Sequence, residues 1–136
     1  WDGLKPDGTM WSPDMNSFNH YAYGAIGEWL FRVMAGLETS EKEAGYKHTV
    51  IYPRLGGGLA EAEGSYESVY GTISSHWTVK GNEVTLKVTV PVNTTAEICL
   101  DGAKEVLESD GLHFADALGC KKAAAGSGSY VFRFVR

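Results

Sequence analysis

A strict alternation of apolar and polar residues in the middle of the chain restricts the fold more than any other feature. From residue 84 to residue 90, valine and leucine alternate with threonine and lysine. This is the period of a β-strand that buries one face and exposes the other. Gly81-Asn82, just before it, predicts a tight hairpin turn to a preceding strand. The segment is therefore expected to belong to a sheet that buries one of its two faces.

Other short segments share this strand-like character. They are residues 49–52, 59–66, 71–80, 96–100, 104–107 and 129–135. Glycines, 17 in the whole chain, cluster in its second half and supply the turns between such strands. Several short strands without intervening helices predict an antiparallel β-sandwich.

One helix is predicted before the strands, over residues 17–37. Apolar residues recur there at helical spacing, Asn16 or Ser17 can cap the first turn, and Gly36 lies near the end. The opposite face is also poor in charge, with Glu28 and Arg32 as an i, i+4 pair. A helix that is apolar nearly all round is normally buried on most sides. No second helix of this kind is predicted, so the helix is expected to belong to a larger helical assembly.

The fold class predicted is mainly β, an antiparallel β-sandwich preceded by one long apolar α-helix. We divide the chain into a loop and terminal helix at 1–37, a charged connector at 38–45 and a sandwich at 46–136. The first 16 residues carry several tryptophan and methionine residues and are expected to form an ordered loop.

Charge and cysteine content exclude several function classes. The net charge is −5, and the 12 lysines and arginines are scattered, so nucleic acid and anionic membrane surfaces are not expected partners. No apolar run is long enough to span a bilayer. Cys99 and Cys120 match no metal or redox motif, although a disulfide between them stays open. The four histidines lack metal-ligand spacing, so neither a metal nor a cofactor is predicted. The sequence does not indicate a compartment.

The residues alone give little sign of catalysis. Glycoside hydrolysis needs two carboxyl groups at a set separation. No spacing selects such a pair among Asp2, Asp7, Asp14 and Glu28, and Asp-Gly pairs are ordinary turns. His20 lies in the first turn of the predicted helix among aromatic residues, where the pattern by itself favours a structural role.

Several stretches, in order along nearly the whole chain, resemble the C-terminal end of bacterial α-L-rhamnosidases. They are Trp-Asp-Gly at 1–3, Met-Asn-Ser-Phe-Asn-His-Tyr-Ala-Tyr-Gly-Ala at 15–25, Gly-Glu-Trp-Leu at 27–30, Gly-Tyr-Lys-His at 45–48, Pro-Arg at 53–54, Gly-Gly-Gly-Leu at 56–59, Ser-Tyr-Glu-Ser at 65–68, Tyr-Gly at 70–71, Val-Pro-Val-Asn-Thr-Thr-Ala at 90–96 and Gly-Ser-Gly-Ser-Tyr at 126–130. The helix start with asparagine, histidine and tyrosine and the triple glycine are the most specific of these.

The resemblance implies an enzyme that removes terminal α-L-rhamnose with inversion, inside an α/α-barrel followed by a C-terminal β-sandwich. Residues 17–37 would be the last helix of that barrel, which is otherwise missing from this chain. His20 falls on the family's histidine that lines the rhamnose pocket, so a hydrogen bond to a sugar hydroxyl is implied. The family's general base would precede Trp1 and its general acid would lie further upstream. We therefore expect no catalytic residue in this chain and no activity by itself, with a rhamnose-containing glycoside as the ligand of the full-length enzyme.

Two other function classes remain open. A stand-alone carbohydrate-binding sandwich would need exposed aromatic residues on a sheet face, and Tyr66, Tyr70 and Trp77 are the candidates. A protein-interaction module would instead dimerise through the exposed helix face, with Trp29, Leu30 and Val33 in the contact.

Overall fold

The computed structural model describes residues 4–12, 22–41 and 43–136. Its helix α1 spans Ala22–Trp29 and continues as a π-helical segment over Leu30–Met34. Ten strands follow in chain order: β1 Leu37–Thr39, β2 His48–Ile51, β3 Glu61–Ser68, β4 Gly71–Lys80, β5 Glu83–Val90, β6 Thr95–Asp101, β7 Glu105–Glu108, β8 Ala115–Ala117, β9 Cys120–Ala125 and β10 Gly128–Val135. The predicted fold class, mainly β with a preceding helix, is confirmed.

The strands form two sheets of five. The first has the order β1-β2-β6-β9-β8, and the second has the order β3-β4-β5-β10-β7. Between β2 and β6 the chain builds three strands of the second sheet, so β6 returns beside β2 in the same direction. That pair is parallel, and the other neighbouring pairs in the described strands are antiparallel.

The core lies between the two sheets. The alternation that predicts β5 is confirmed, because all four of its apolar residues from Val84 to Val90 are buried there. Trp77, Phe132 and Phe134 are the largest fully buried side chains. Burying an apolar side chain of this kind contributes about 1.5–3 kcal/mol to folding. The sandwich is therefore held mainly by contacts between its two inner faces.

The helix ends earlier than predicted. Positions 17–21 of the predicted range lie outside the described residues, and the helical segment stops at Met34 rather than at residue 37. Leu37 was predicted as helical, and Glu38 as connector, but both belong to β1. Gly36 explains the difference, because it adopts a φ of +73° and turns the chain into the sheet. The division into barrel helix, connector and sandwich stays a prediction.

Candidate functional site

The end of the helix is attached to the first sheet by backbone hydrogen bonds. A helix leaves its last carbonyl groups without partners inside the helix. The amide of Arg54 donates to the carbonyl of Val33 at 2.9 Å, and the amide of Tyr52 donates to the carbonyl of Gly36 at 2.8 Å. Both donors lie within three residues of the end of β2. The chain that leaves the first sheet thus satisfies the Val33 carbonyl of the helix and the Gly36 carbonyl just beyond the helix end.

The second sheet supplies a third donor. The indole Nε1 of Trp77, a fully buried residue of β4, donates to the carbonyl of Met34 at 2.8 Å. Beside it, β3 passes so close to the helix end that a Cβ atom on Gly64 would lie 2.5 Å from the Cβ of Ala35. We call these three donors and this close approach the helix clamp. Because both sheets contribute, the helix end is fixed at the seam of the sandwich.

The side chains of the helix are exposed in contrast. Ile26, Trp29 and Leu30 are exposed to 58%, 50% and 44%. Within the described part of the chain no other helix packs on this face. An apolar helix face of this kind is typical of a site that contacts further protein. The candidate functional site is therefore an interface built on the clamped helix.

A cavity of about 420 Å³ lies between the helix and β1. Arg32 lies on its wall and bridges Glu28, at 2.9 Å, and Glu38. The hydrogen bond that the Arg32 guanidinium donates to Glu28 is the largest cause that raises the pKa of Arg32. Arg32 forms ion pairs with two carboxylates. Because arginine stays protonated in proteins, it offers no proton for catalysis. Exposed ion pairs of this kind stabilise a fold only slightly.

The carboxyl groups with shifted pKa values do not suit general acid chemistry. Hydrogen bonds from the Thr9 hydroxyl and amide, at 2.6 and 2.9 Å, lower the pKa of Asp7. A hydrogen bond from the Lys122 ammonium, at 2.7 Å, lowers the pKa of Glu97. A general acid in glycoside hydrolysis needs a raised pKa. The Asp7 contacts also confirm the turn that the sequence predicts there.

The predicted substrate-binding residue, His20, lies outside the described residues, as do Asp2 and Asp14. Two other histidines have local partners: His48 Nδ1 lies 2.7 Å from the hydroxyl of Thr95, and His76 Nε2 lies 2.6 Å from Glu61. Over residues 4–12, 22–41 and 43–136, no group of three or more potential ligands could hold a metal ion. No helix in the same part of the chain is long and apolar enough to cross a membrane.

Both cysteines are buried free thiols. Burial, followed by the charge of Glu97, raises the pKa of the Cys99 thiol to about 12. Burial also raises the pKa of Tyr52 to about 12, with a hydrogen bond to Cys120 as the next cause. Thiols held in the neutral form are poor nucleophiles. Cys99 therefore acts as a small apolar residue of the sheet.

Sequence reasoning missed the helix clamp. Trp77 was a candidate for an exposed sugar-stacking residue, but it is fully buried, which counts against that role. Trp77 lies two residues after Ser75 and four after Ile73, and this even spacing puts all three side chains on one face of the strand. Ile73 and Ser75 are buried, so that face is the inner one. Tyr66 and Tyr70 are exposed as that hypothesis requires. The amides of Tyr52 and Arg54 leave no sequence signal at all, because every residue except proline carries one.

The comparisons with known proteins agree with one another. The model of the bacterial alpha-L-rhamnosidase C-terminal domain matches residues 36–114, more than half of the chain. An alpha-L-rhamnosidase of Streptomyces avermitilis is 40% identical over 134 residues, which cover 97% of this chain and 13% of that protein. One from Formosa agariphila is 37% identical over 129 residues, covering 88% of this chain and 14% of that protein. The chain thus spans a small part of the curated relatives it matches.

A solved structure extends the match to the arrangement in space. The crystal structure of Streptomyces avermitilis alpha-L-rhamnosidase complexed with L-rhamnose superposes on this chain with a TM-score of 0.80 at 39% identity. The superposition covers 98% of this chain and 13% of that one. The helix and the sandwich are therefore matched together.

Proposed function

The chain belongs to the bacterial α-L-rhamnosidase C-terminal domain family, and from this premise we propose that it forms the end of a longer glycoside hydrolase, where its sandwich supports a barrel helix. The observation that carries this proposal is the helix clamp. Donors from both sheets fix the last turn of the helix, while its apolar side chains stay exposed. A supporting domain needs this combination, because it must hold the helix at one end and leave the rest free for other helices.

We further propose that His20 donates or accepts a hydrogen bond with a hydroxyl of α-L-rhamnose in the full-length enzyme. The support is its place in the asparagine-histidine-tyrosine motif at 19–21, which resembles the helix start of these enzymes. Inverting hydrolysis requires one carboxylic acid to protonate the leaving oxygen and one carboxylate to activate water. Because the pKa values of Asp7 and Glu97 are lowered, neither residue is suited to act as the general acid. By this reasoning the chain binds part of the sugar but does not cleave the bond.

A chimeric enzyme tests the proposal. This chain replaces the matching C-terminal segment of the Streptomyces avermitilis enzyme, and hydrolysis of an aryl α-L-rhamnoside is measured. We expect an active chimera, and a His20→Ala change should lower kcat/KM about 10- to 100-fold, as for the loss of one hydrogen bond in a buried site. The isolated chain should show no hydrolysis. Hydrolysis by the isolated chain that His20→Ala abolishes would contradict the proposal.

The exposed helix face favours a second candidate, a module that dimerises through Trp29 and Leu30. Val33, the third residue of the predicted contact, is partly buried, so less of its side chain is exposed for a dimer contact. Sedimentation of the isolated chain over a wide concentration range tests this candidate. A monomer at every concentration would count against it.

A further inference from the structure

Two neighbouring loop tips of the sandwich carry exposed apolar side chains. Val69, in the β3–β4 turn, is 89% exposed, and Val92, in the β5–β6 connection, is 80% exposed. The tips are adjacent, because a Cβ atom on Gly71 would lie 3.6 Å from the Cβ of Pro91. Loop tips are usually polar, since polar residues satisfy turn geometry and solvent. With Tyr70 these two valines form what we call the tip surface.

The tip surface is fixed in place. The ammonium of Lys47 lies 5.1 Å from the centre of the Tyr70 ring and also donates to the carbonyl of Asn93. One lysine therefore joins both loops. The hydroxyl of Thr94 donates to the carbonyl of Pro91 at 2.7 Å and holds the second loop from within. A surface that is already ordered loses little conformational entropy when it binds.

A row of aromatic rings connects the tip surface to the helix. Tyr46 precedes Lys47, and its ring lies 4.7 Å from that of Tyr66, which in turn lies 6.3 Å from that of Phe31 in the helix. Tyr46 adopts a φ of +64°, a strained conformation for a bulky residue. Such strain persists only where the surroundings enforce it. A series of contacts thus runs from Phe31 in the helix through Tyr66 and Tyr46 to the lysine that joins the two loops of the tip surface.

We propose that the tip surface packs against the upstream part of an α-L-rhamnosidase polypeptide, as the outer part of the same contact that covers the helix. This inference rests on the function proposed above. Two valines and a tyrosine are too small to hold a stable interface alone, which needs roughly 1,000 Å² or more. They suit the margin of a larger contact, and the aromatic row leads to the helix, whose exposed apolar side chains can provide the rest of it. The polypeptide that covers the helix is therefore the occupant.

The chimera with the Streptomyces avermitilis enzyme provides the test. We change Val69 and Val92 to lysine together, and we change Leu118 to lysine as the control. Leu118 is fully exposed in the β8–β9 turn, away from the aromatic row. In the isolated chain all variants should keep the parent's Tm within about 2 °C, because exposed substitutions usually change stability by no more than about 0.5 kcal/mol. In the chimera the double lysine variant should lower Tm by about 4–8 °C and Leu118→Lys should not, since buried lysines lose hydration.

The results separate this inference from the proposed function. An active chimera whose Tm is unaffected by the double lysine change would overturn the tip contact and leave the proposed function standing. A folded but inactive chimera would contradict the proposed function, while its Tm would still report on the tips. The milder pair Val69→Thr and Val92→Thr, which keeps the shape, should give a smaller loss in the same direction. Protection of Tyr70 from hydroxyl radicals in the isolated chain by L-rhamnose would assign the surface to sugar binding and overturn the inference.

Discussion

The Trp77→Phe substitution tests whether the sandwich holds the helix by a specific hydrogen bond. It removes the donor that lies 2.8 Å from the Met34 carbonyl and keeps an aromatic ring in the core. An acceptor left without a partner in a buried site costs about 1–3 kcal/mol. The smaller ring leaves a cavity that adds about 1 kcal/mol. The expected loss in the free energy of unfolding is therefore about 2–4 kcal/mol.

Thermal unfolding of the isolated chain measures this loss. At about 4 °C per kcal/mol for a domain of this size, Tm should fall by roughly 8–16 °C. Phe132→Leu is the control, because it opens a cavity in the same core without a bond to the helix. Hydrogen exchange at the Ala35 amide, which donates to the Leu30 carbonyl at 3.0 Å, reports on the helix end. Trp77→Phe should accelerate that exchange more than Phe132→Leu at equal loss of stability. Equal exchange in both variants would refute the clamp as a specific attachment.

Two further predictions use matched glycines and the buried thiols. Gly36 and Gly45 share a φ of +73°, but a Cβ on Gly36 would lie 2.0 Å from a proline nitrogen, whereas Gly45 has open space around it. The Gly36→Ala variant should therefore have a much lower Tm than the Gly45→Ala variant. Equal Tm values for the two variants would contradict the close approach at Gly36. Cys99, whose pKa rises from 9.0 to about 12, should react with a thiol reagent at pH 8 about 1,000-fold more slowly than a free thiol. Cys99 and Cys120 should both react at once in guanidinium, and a native Cys99 that reacts at the rate of a free thiol would refute its burial.

Local periodicity was enough to predict most of the sandwich. The range 71–80 matches β4 at both ends, and the Gly81-Asn82 turn joins β4 to β5 through the pair Lys80 and Glu83. These elements could be predicted from the sequence because an alternating strand and its tight turn are specified by neighbouring residues. The signal lies within the segment itself and needs no knowledge of the partner strand.

Strands β1, β8 and β9 were missed for the opposite reason. Residues 120–125 read Cys-Lys-Lys-Ala-Ala-Ala, which has no alternation, and they form β9 by pairing with β6, more distant in the chain, and with the short β8. Leu37 fits the helical spacing as the last apolar position, yet it pairs with Ile51 and is fully buried in the sandwich core. An apolar residue at a junction satisfies both patterns, and only tertiary packing decides between them.

The helix is the element on which the proposed function depends most. Its apolar circumference, visible in the sequence, predicts burial on most sides, but among the described residues the contacts with the sandwich lie toward its C-terminal end. The structure adds that the carbonyls at this end are satisfied by Trp77 and by the backbone after β2. A helix that the sandwich merely touched would leave these carbonyls to water. Because they are instead bonded from both sheets, the helix end and the sandwich form one unit, and this is why we propose the exposed face of Ile26, Trp29 and Leu30 as the surface by which that unit contacts further polypeptide.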